Sequence, residues 1–263
     1  MSLPLFAQAA LNGFLFGGVY SLMAVGLSLI FGVMRVINLA HGDMMVWGSY
    51  LAFFLSLHFG LDPFYSFFVS SAALFVLGAL VQRGLVSRIL AAPHEMQILL
   101  MLGVALVLEN SALVLFGPDP RRTESAYGLT AVWLGPFFVD VARLVTFAIA
   151  ILLSLALYFF LFRTELGRLI RAAADNSYGA LIIGADVGRI YTVAFGIGAA
   201  GALMSALLPF SPATGFPQTV TSFNIVIIGG MGSLLGAFLG GLLVAVAESL
   251  GAVLLVPSLK ELV

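Results

Sequence analysis

The stretch "VINLAHGDMMVWGS", Val36–Ser49, sets Asn38, His41 and Asp43 close together between two long apolar runs, about 9–34 and 44–60. A helix needs about 20 mainly apolar residues to cross a bilayer, so the flanking runs read as two membrane helices and the polar stretch as their joint. Gly42 is expected to break the helix. Asn38 is placed to cap the carbonyls ending the first run, and Asp43 to cap the N–H groups starting the second. His41 then points into the mouth between them.

The rest of the chain agrees with a membrane setting. Of 263 residues, 62% are hydrophobic and 9% are charged, against roughly 25% charged in an ordinary soluble domain. Water would leave that much apolar surface sticky, whereas lipid solvates it. Lipid offers no partner to backbone N–H and C=O groups, so only helices or a closed barrel can cross it, and these runs far exceed barrel strands. The fold class is all-α: a polytopic membrane helix bundle forming a single domain over 1–263. There is no cysteine and the net charge is −1, which excludes disulfides and Cys-based metal sites and argues against a nucleic-acid partner. "MSLPLFAQAALNG" lacks the basic n-region of a cleavable signal, so the first run is expected to be retained.

Candidate spans fall at about 9–34, 44–60, 64–82, 96–116, 143–162 and 190–209. A final stretch, 223–256, exceeds one crossing and is free to tilt, break into half-helices or turn back, which makes about seven or eight spans in all. Positive residues near span ends stay in the cytoplasm. Arg35, the pair Arg83 and Arg88, and the group Arg163, Arg168, Arg171 and Arg189 fall in connections that alternate onto one side. The N-terminus is therefore expected outside, with 35–43, 83–95 and 163–189 cytoplasmic. The external segment 117–142 is the only substantial outer surface, and 61–63 and 210–222 are outer connections without Lys or Arg.

Small residues carry the packing signal. In "GGMGSLLGAFLGG", Gly232, Gly236 and Gly240 repeat every four residues on one helical face, and Gly13 with Gly17 repeats the spacing in the first span. Such rows let helix backbones approach closely; they also border pathways in some transporters. Glu109 and Asn110 sit deep in an apolar run, where an ionisable residue is a functional candidate by default and an interhelical hydrogen bond is the structural alternative. Glu248 lies nearer a span end, placed to snorkel or cap. His41, His58 and His94 fall in separate connections without ligand spacing, so no metal site is expected. No nucleotide-binding loop exists, and Lys260 is the only lysine, so any ATP must be bound and hydrolysed by another subunit.

The connection 163–189 is the strongest lead. "FRTELGRLIRAAADN" carries Leu166, Leu169 and Ile170 at helical spacing among Arg168 and Arg171, a basic amphipathic helix at the membrane edge. Asp175 is positioned to cap a second short helix, Asn176 to Ile183, which Gly184 stops. Ala180, Leu181, Ile182 and Ile183 give it an apolar surface too short to span lipid, either a folded loop or a grip for a cytosolic domain.

The opening "LNGFLFGGVYSLMAVGLSLIFGVMRVINLAHGDMMVWGSYLA" resembles the permease subunits of branched-chain amino-acid ABC importers, of the type whose first connection reads Val-Ile-Asn-x-Ala-His-Gly-Asp/Glu. "LFGPDPR", "RTELGRLIRAAADN" and "IIGGMGSLLGAFLGG" follow in the family's order. The resemblance implies a non-catalytic subunit for branched-chain amino acids or related small polar solutes in the bacterial or archaeal cytoplasmic membrane. Implied partners are a similar second permease, two ATPase subunits and an external solute-binding protein. Asp175, Asn176, Ala180, Gly184 and Asp186 match the family's coupling motif, and Tyr178, with Ser177 and Gly179, departs from its Glu-Ala-Ala-like run. A gate role for Asn38, His41 and Asp43 is likewise implied. Relatives continue past "VPSLKELV" into another apolar span, so that last span is expected to be missing here. The alternative class is a stand-alone channel or ion-coupled carrier using Glu109. A membrane-embedded enzyme would need a clustered polar set that the sequence does not offer.

Overall fold

The computed structural model of the chain describes residues 3–123, 130–135, 137–199 and 209–260. Among these it is a helical bundle of α1 (Leu3–Met34), α2 (His41–Phe59), α3 (Pro63–Gly84), α4 (His94–Phe116), α5 (Val141–Arg163), α6 (Glu165–Asp175), α7 (Ser177–Ile182), α8 (Val187–Ala199), α9 (Gly215–Gly229) and α10 (Leu234–Lys260). Five helices are long and apolar enough to cross a membrane: Leu5–Met34, Tyr65–Arg88, His94–Phe116, Val141–Arg163 and Leu234–Leu254. The chain is a polytopic helical membrane protein. One addition to the helices is a hairpin of β1 (Ala131–Leu134) and β2 (Phe137–Asp140), antiparallel and closed by Gly135 at φ 63°. It belongs to the segment 117–142, and Gln8 of α1 clamps it by donating to the Phe138 carbonyl (2.6 Å) and accepting from the Phe138 N–H (3.0 Å).

α1 is the central post. Its membrane-length window is 67% buried, where the other four reach 39% at most, which is what a helix apolar on every face must achieve. Its longest interface is with α10. A Cβ on Gly13 would strike Ser249 and Ala245, and one on Gly17 would strike Leu242, so these glycines set the approach. α5 closes on Gly18 through Phe147 and Ala150, and α8 closes on α3 where Gly78 meets Gly196 and Ala199. With lipid as apolar as leucine, such packing rather than hydrophobic burial holds the helices together.

The long run 223–256, too long for one crossing, breaks at Gly230–Ser233, where Gly230 and Gly232 take φ 92° and 84°, and Gly232 abuts the backbone of Gly32. Gly232 is therefore a turn residue, while Gly236 and Gly240 press α10 against Gly229 and Ile225 of α9. The segment 210–222 is not an outer connection throughout. Ser211 and Thr214 form a reciprocal capping box around the 3-10 turn Pro212–Thr214, and helix α9 begins at Gly215.

Candidate functional site

The polar joint after α1 is not a turn at the membrane edge. Arg35 adopts φ 54°, a left-handed conformation for a residue with a Cβ, and this reverses the chain. Residues 36–40 then run back alongside α1, and His41 Nε2 ends 3.0 Å from the Met23 carbonyl. A carbonyl only accepts, so Nε2 carries the proton and donates. Met23 stands eleven residues before the end of α1, about 16 Å at 1.5 Å per residue, roughly half a 30 Å hydrocarbon core. Helix α2 therefore starts near the middle of the membrane.

Helix α9 starts there too, running the opposite way. The Gly42 N–H donates to Thr219 Oγ1 (2.8 Å), and Thr219 Oγ1 lies 3.2 Å from the Leu39 carbonyl. A Cβ on Gly42 would run into the Gly215 carbonyl, and one on Gly215 into the Asp43 carboxylate. Two helix N-termini thus meet head to head, and each presents partial positive charge. Asp43, only 2% exposed, lies against Gly215 beside these two helix ends, with neither carboxylate oxygen hydrogen-bonded.

The expected roles at this joint are corrected accordingly. Gly42 does not break the helix: it is its second residue, and its missing side chain admits α9. Asn38 does not cap α1, because its Oδ1 accepts from the Ala40 N–H (3.1 Å). Asp43 makes no hydrogen bond to the first turn of α2. His41 is 1% exposed and locked to α1 rather than pointing into a mouth. Glu109 lies near Asp43 but is half-buried on α4, with no interhelical hydrogen bond among the described residues, and Asn110 is exposed and donates to Leu106 of its own helix (2.8 Å).

A second polar region lies at the opposite end of α5. Thr164 caps α6 by accepting from the Gly167 N–H (3.0 Å), and the bare Gly167 lets α6 fold back onto the Phe160–Leu161 backbone. Arg171 Nε donates to the Leu161 carbonyl (3.0 Å) while its guanidinium stacks 4.3 Å over Phe162. It holds α6 on α5. Arg168 is exposed and pairs with Glu165 at 3.7 Å. Asn176, not Asp175, caps α7, its Oδ1 accepting from the Gly179 N–H (2.8 Å). Gly184 at φ 85° ends it, with the Ala185 N–H returning to the Ala180 carbonyl (3.0 Å). Ala180 is buried, Asp186 caps α8 at the Arg189 N–H (2.9 Å), and Tyr178, Leu181, Ile182 and Ile183 stand out 56–72% exposed.

Comparison with known proteins bears on both regions. The family model described as "Branched-chain amino acid transport system / permease component" matches residues 9–263. The chain belongs to that family. Among curated relatives of this permease, BraD of Pseudomonas aeruginosa, a high-affinity branched-chain amino acid transport system permease protein, is 28% identical over 94% of this chain and 86% of its own. LivH of Escherichia coli K12, named likewise, is 26% identical over 98% and 90%. A probable LivH of Methanocaldococcus jannaschii is 28% identical over 90% and 78%. No solved structure matches significantly.

In this permease the structure brings Asn38, His41 and Asp43 together with two residues the sequence reading did not select, Gly215 and Thr219. Their signal was present in "SPATGFPQTV", a helix-start pattern in a stretch read as a connection. Among the described residues no His, Cys, Asp and Glu group is arranged to hold a metal. The arrangement offers close packing and hydrogen bonds between the starts of two helices.

Proposed function

We propose that the chain is the permease of an ATP-driven importer of branched-chain amino acids, paired with a similar permease, gripped by two ATPases and fed by an external solute-binding protein. Its transport role follows from family membership; the partners and solute are our reading, supported by the names of the relatives. The carrying observation is the α7 projection, a capped six-residue helix with four large apolar side chains exposed and no length to span lipid. A rigid apolar knob of this kind fits a groove on a cytosolic domain, and closure of that domain would be transmitted through Arg171 into α5. The apolar runs support seven or eight spans and the arginine distribution an N-terminus outside, and the crossing of α2 and α9 is read as the wall that opens and closes, with Glu109 beside it.

The test is ATP-dependent uptake of labelled leucine in vesicles holding the full complex. Ile182→Asp is expected to abolish uptake while the assembled permeases still insert, and Glu109→Gln to leave the pH dependence of uptake unchanged. Uptake by this chain alone without ATP, with pH dependence lost in Glu109→Gln, would instead establish an ion-coupled carrier.

A further inference from the structure

Glu248 lies near a span end, with its side chain at the surface of the bundle. It is exposed on the flank of α10, where its Oε2 accepts from the Tyr20 hydroxyl of α1 (2.9 Å). It borders a cavity of about 250 Å³ between α1, α5 and α10, lined by Asn12, Gly13, Phe16, Arg143, Glu248 and Ser249 among others. Arg143 and Glu248 share this cavity yet are not within ion-pair distance of each other.

The remaining polar groups are already disposed. Ser249 Oγ donates to the Ala9 carbonyl (2.7 Å), and Asn12 Oδ1 accepts from Gln8 Nε2 (3.3 Å). That leaves the Asn12 NH₂ and the Arg143 guanidinium as unused donors and Glu248 as the acceptor. Gly13, whose Cβ would strike Ser249, holds the floor of the cavity tight. The depth identifies the setting. Asn12 lies 22 residues before the end of α1, about 33 Å along the helix; a hydrocarbon core is about 30 Å thick. The cavity is therefore one bilayer thickness from Arg35, at the far headgroup level, and Arg143 is the third residue of α5. A cation and an anion held apart in one pocket at that depth complement a molecule carrying both charges.

We propose that this pocket binds a zwitterion, with the guanidinium of Arg143 and the Asn12 amide taking its phosphate or carboxylate and Glu248, oriented by Tyr20, taking its ammonium. Arginine matches either anion by a two-pronged hydrogen bond. A zwitterionic phospholipid headgroup and a free α-amino acid share this chemistry, and the experiment separates them.

Native mass spectrometry of the detergent-purified full chain is titrated in parallel with phosphatidylethanolamine and with phosphatidylglycerol of the same acyl chains, and separately with leucine. The expected result is at least fivefold greater retention of the zwitterionic lipid, lost in Glu248→Gln and in Arg143→Gln and unaltered in Arg163→Gln at the other end of α5. Asn12→Ala, which keeps both charges and the helix contacts, is expected to lower retention about threefold and serves if a charge variant fails to fold. Retention of leucine with the same mutational pattern assigns the pocket to a free amino acid. Equal retention of both lipids without leucine binding, or a preference that survives the variants, overturns the proposal.

Discussion

At the residue scale, the crossing depends on one absent methyl and one hydroxyl. A side chain at position 42 would run into the Gly215 carbonyl, a backbone atom that cannot rotate away, so Gly42→Ala is expected to cost about 1–3 kcal/mol, the usual range for overpacking. Gly103→Ala, with nothing within 4 Å of the added methyl, is the matched control, and thermal unfolding in detergent should separate the two. Thr219→Val keeps shape but removes the acceptor of the Gly42 N–H. A buried donor left unpaired costs about 1–3 kcal/mol, whereas Thr219→Ser should recover most of that loss in the same assay. The presence of a polar joint was legible from Asn38, His41 and Asp43 lying next to one another. Its depth was not, because nothing local reveals that Arg35 turns the chain back along α1 or that Met23 offers a carbonyl to His41.

At the element scale, α7 is six residues long, too short to persist without its ends. Isolated helices shorter than about 12–15 residues are marginal in water, so the Asn176 cap and the Gly184 stop fix it. Asn176→Ala should cost about 1 kcal/mol, seen as roughly fivefold faster hydrogen exchange at the Gly179 and Ala180 amides with α6 unaffected. The neighbouring anchor is separable from it. Arg171→Lys retains the charge but loses the planar stack on Phe162 and the fixed reach to Leu161, so it is expected to raise exchange across α6 while the α7 cap holds. Sequence spacing located both helices and the stop at Gly184; it assigned the cap to Asp175, one residue early. An acidic residue there fits a cap as well by type, and only the backbone turn at Asn176, extended at φ −152°, decides between them.

At the scale of the whole molecule, a central α1 collects contacts from α10, α5, α8 and α9, and most of its approaches run over glycine. Gly17→Leu should drive α10 from α1 and lower the yield of folded chain, while Gly251→Leu, which meets open space, should leave yield and monodispersity on size exclusion unchanged. The same design leaves α4 only 22% buried and α5 only 17%, so much of the surface these helices present is completed by lipid or by other subunits.

The sequence alone determined the solvent of this protein, its helical class, its family and the position of its projecting segment, because composition, run length and short-range spacing are properties of the chain that no partner element changes. The tertiary structure decided what those elements do at depth: that α2 and α9 begin face to face about two-thirds of the way along α1, that the final run breaks at Gly230–Ser233, and that Arg143 and Glu248 open onto one cavity. Each draws on contacts between residues about 100 to 200 positions apart, with the turn of His41 back onto Met23 added at the crossing, and hydropathy along the chain carries no record of such distances.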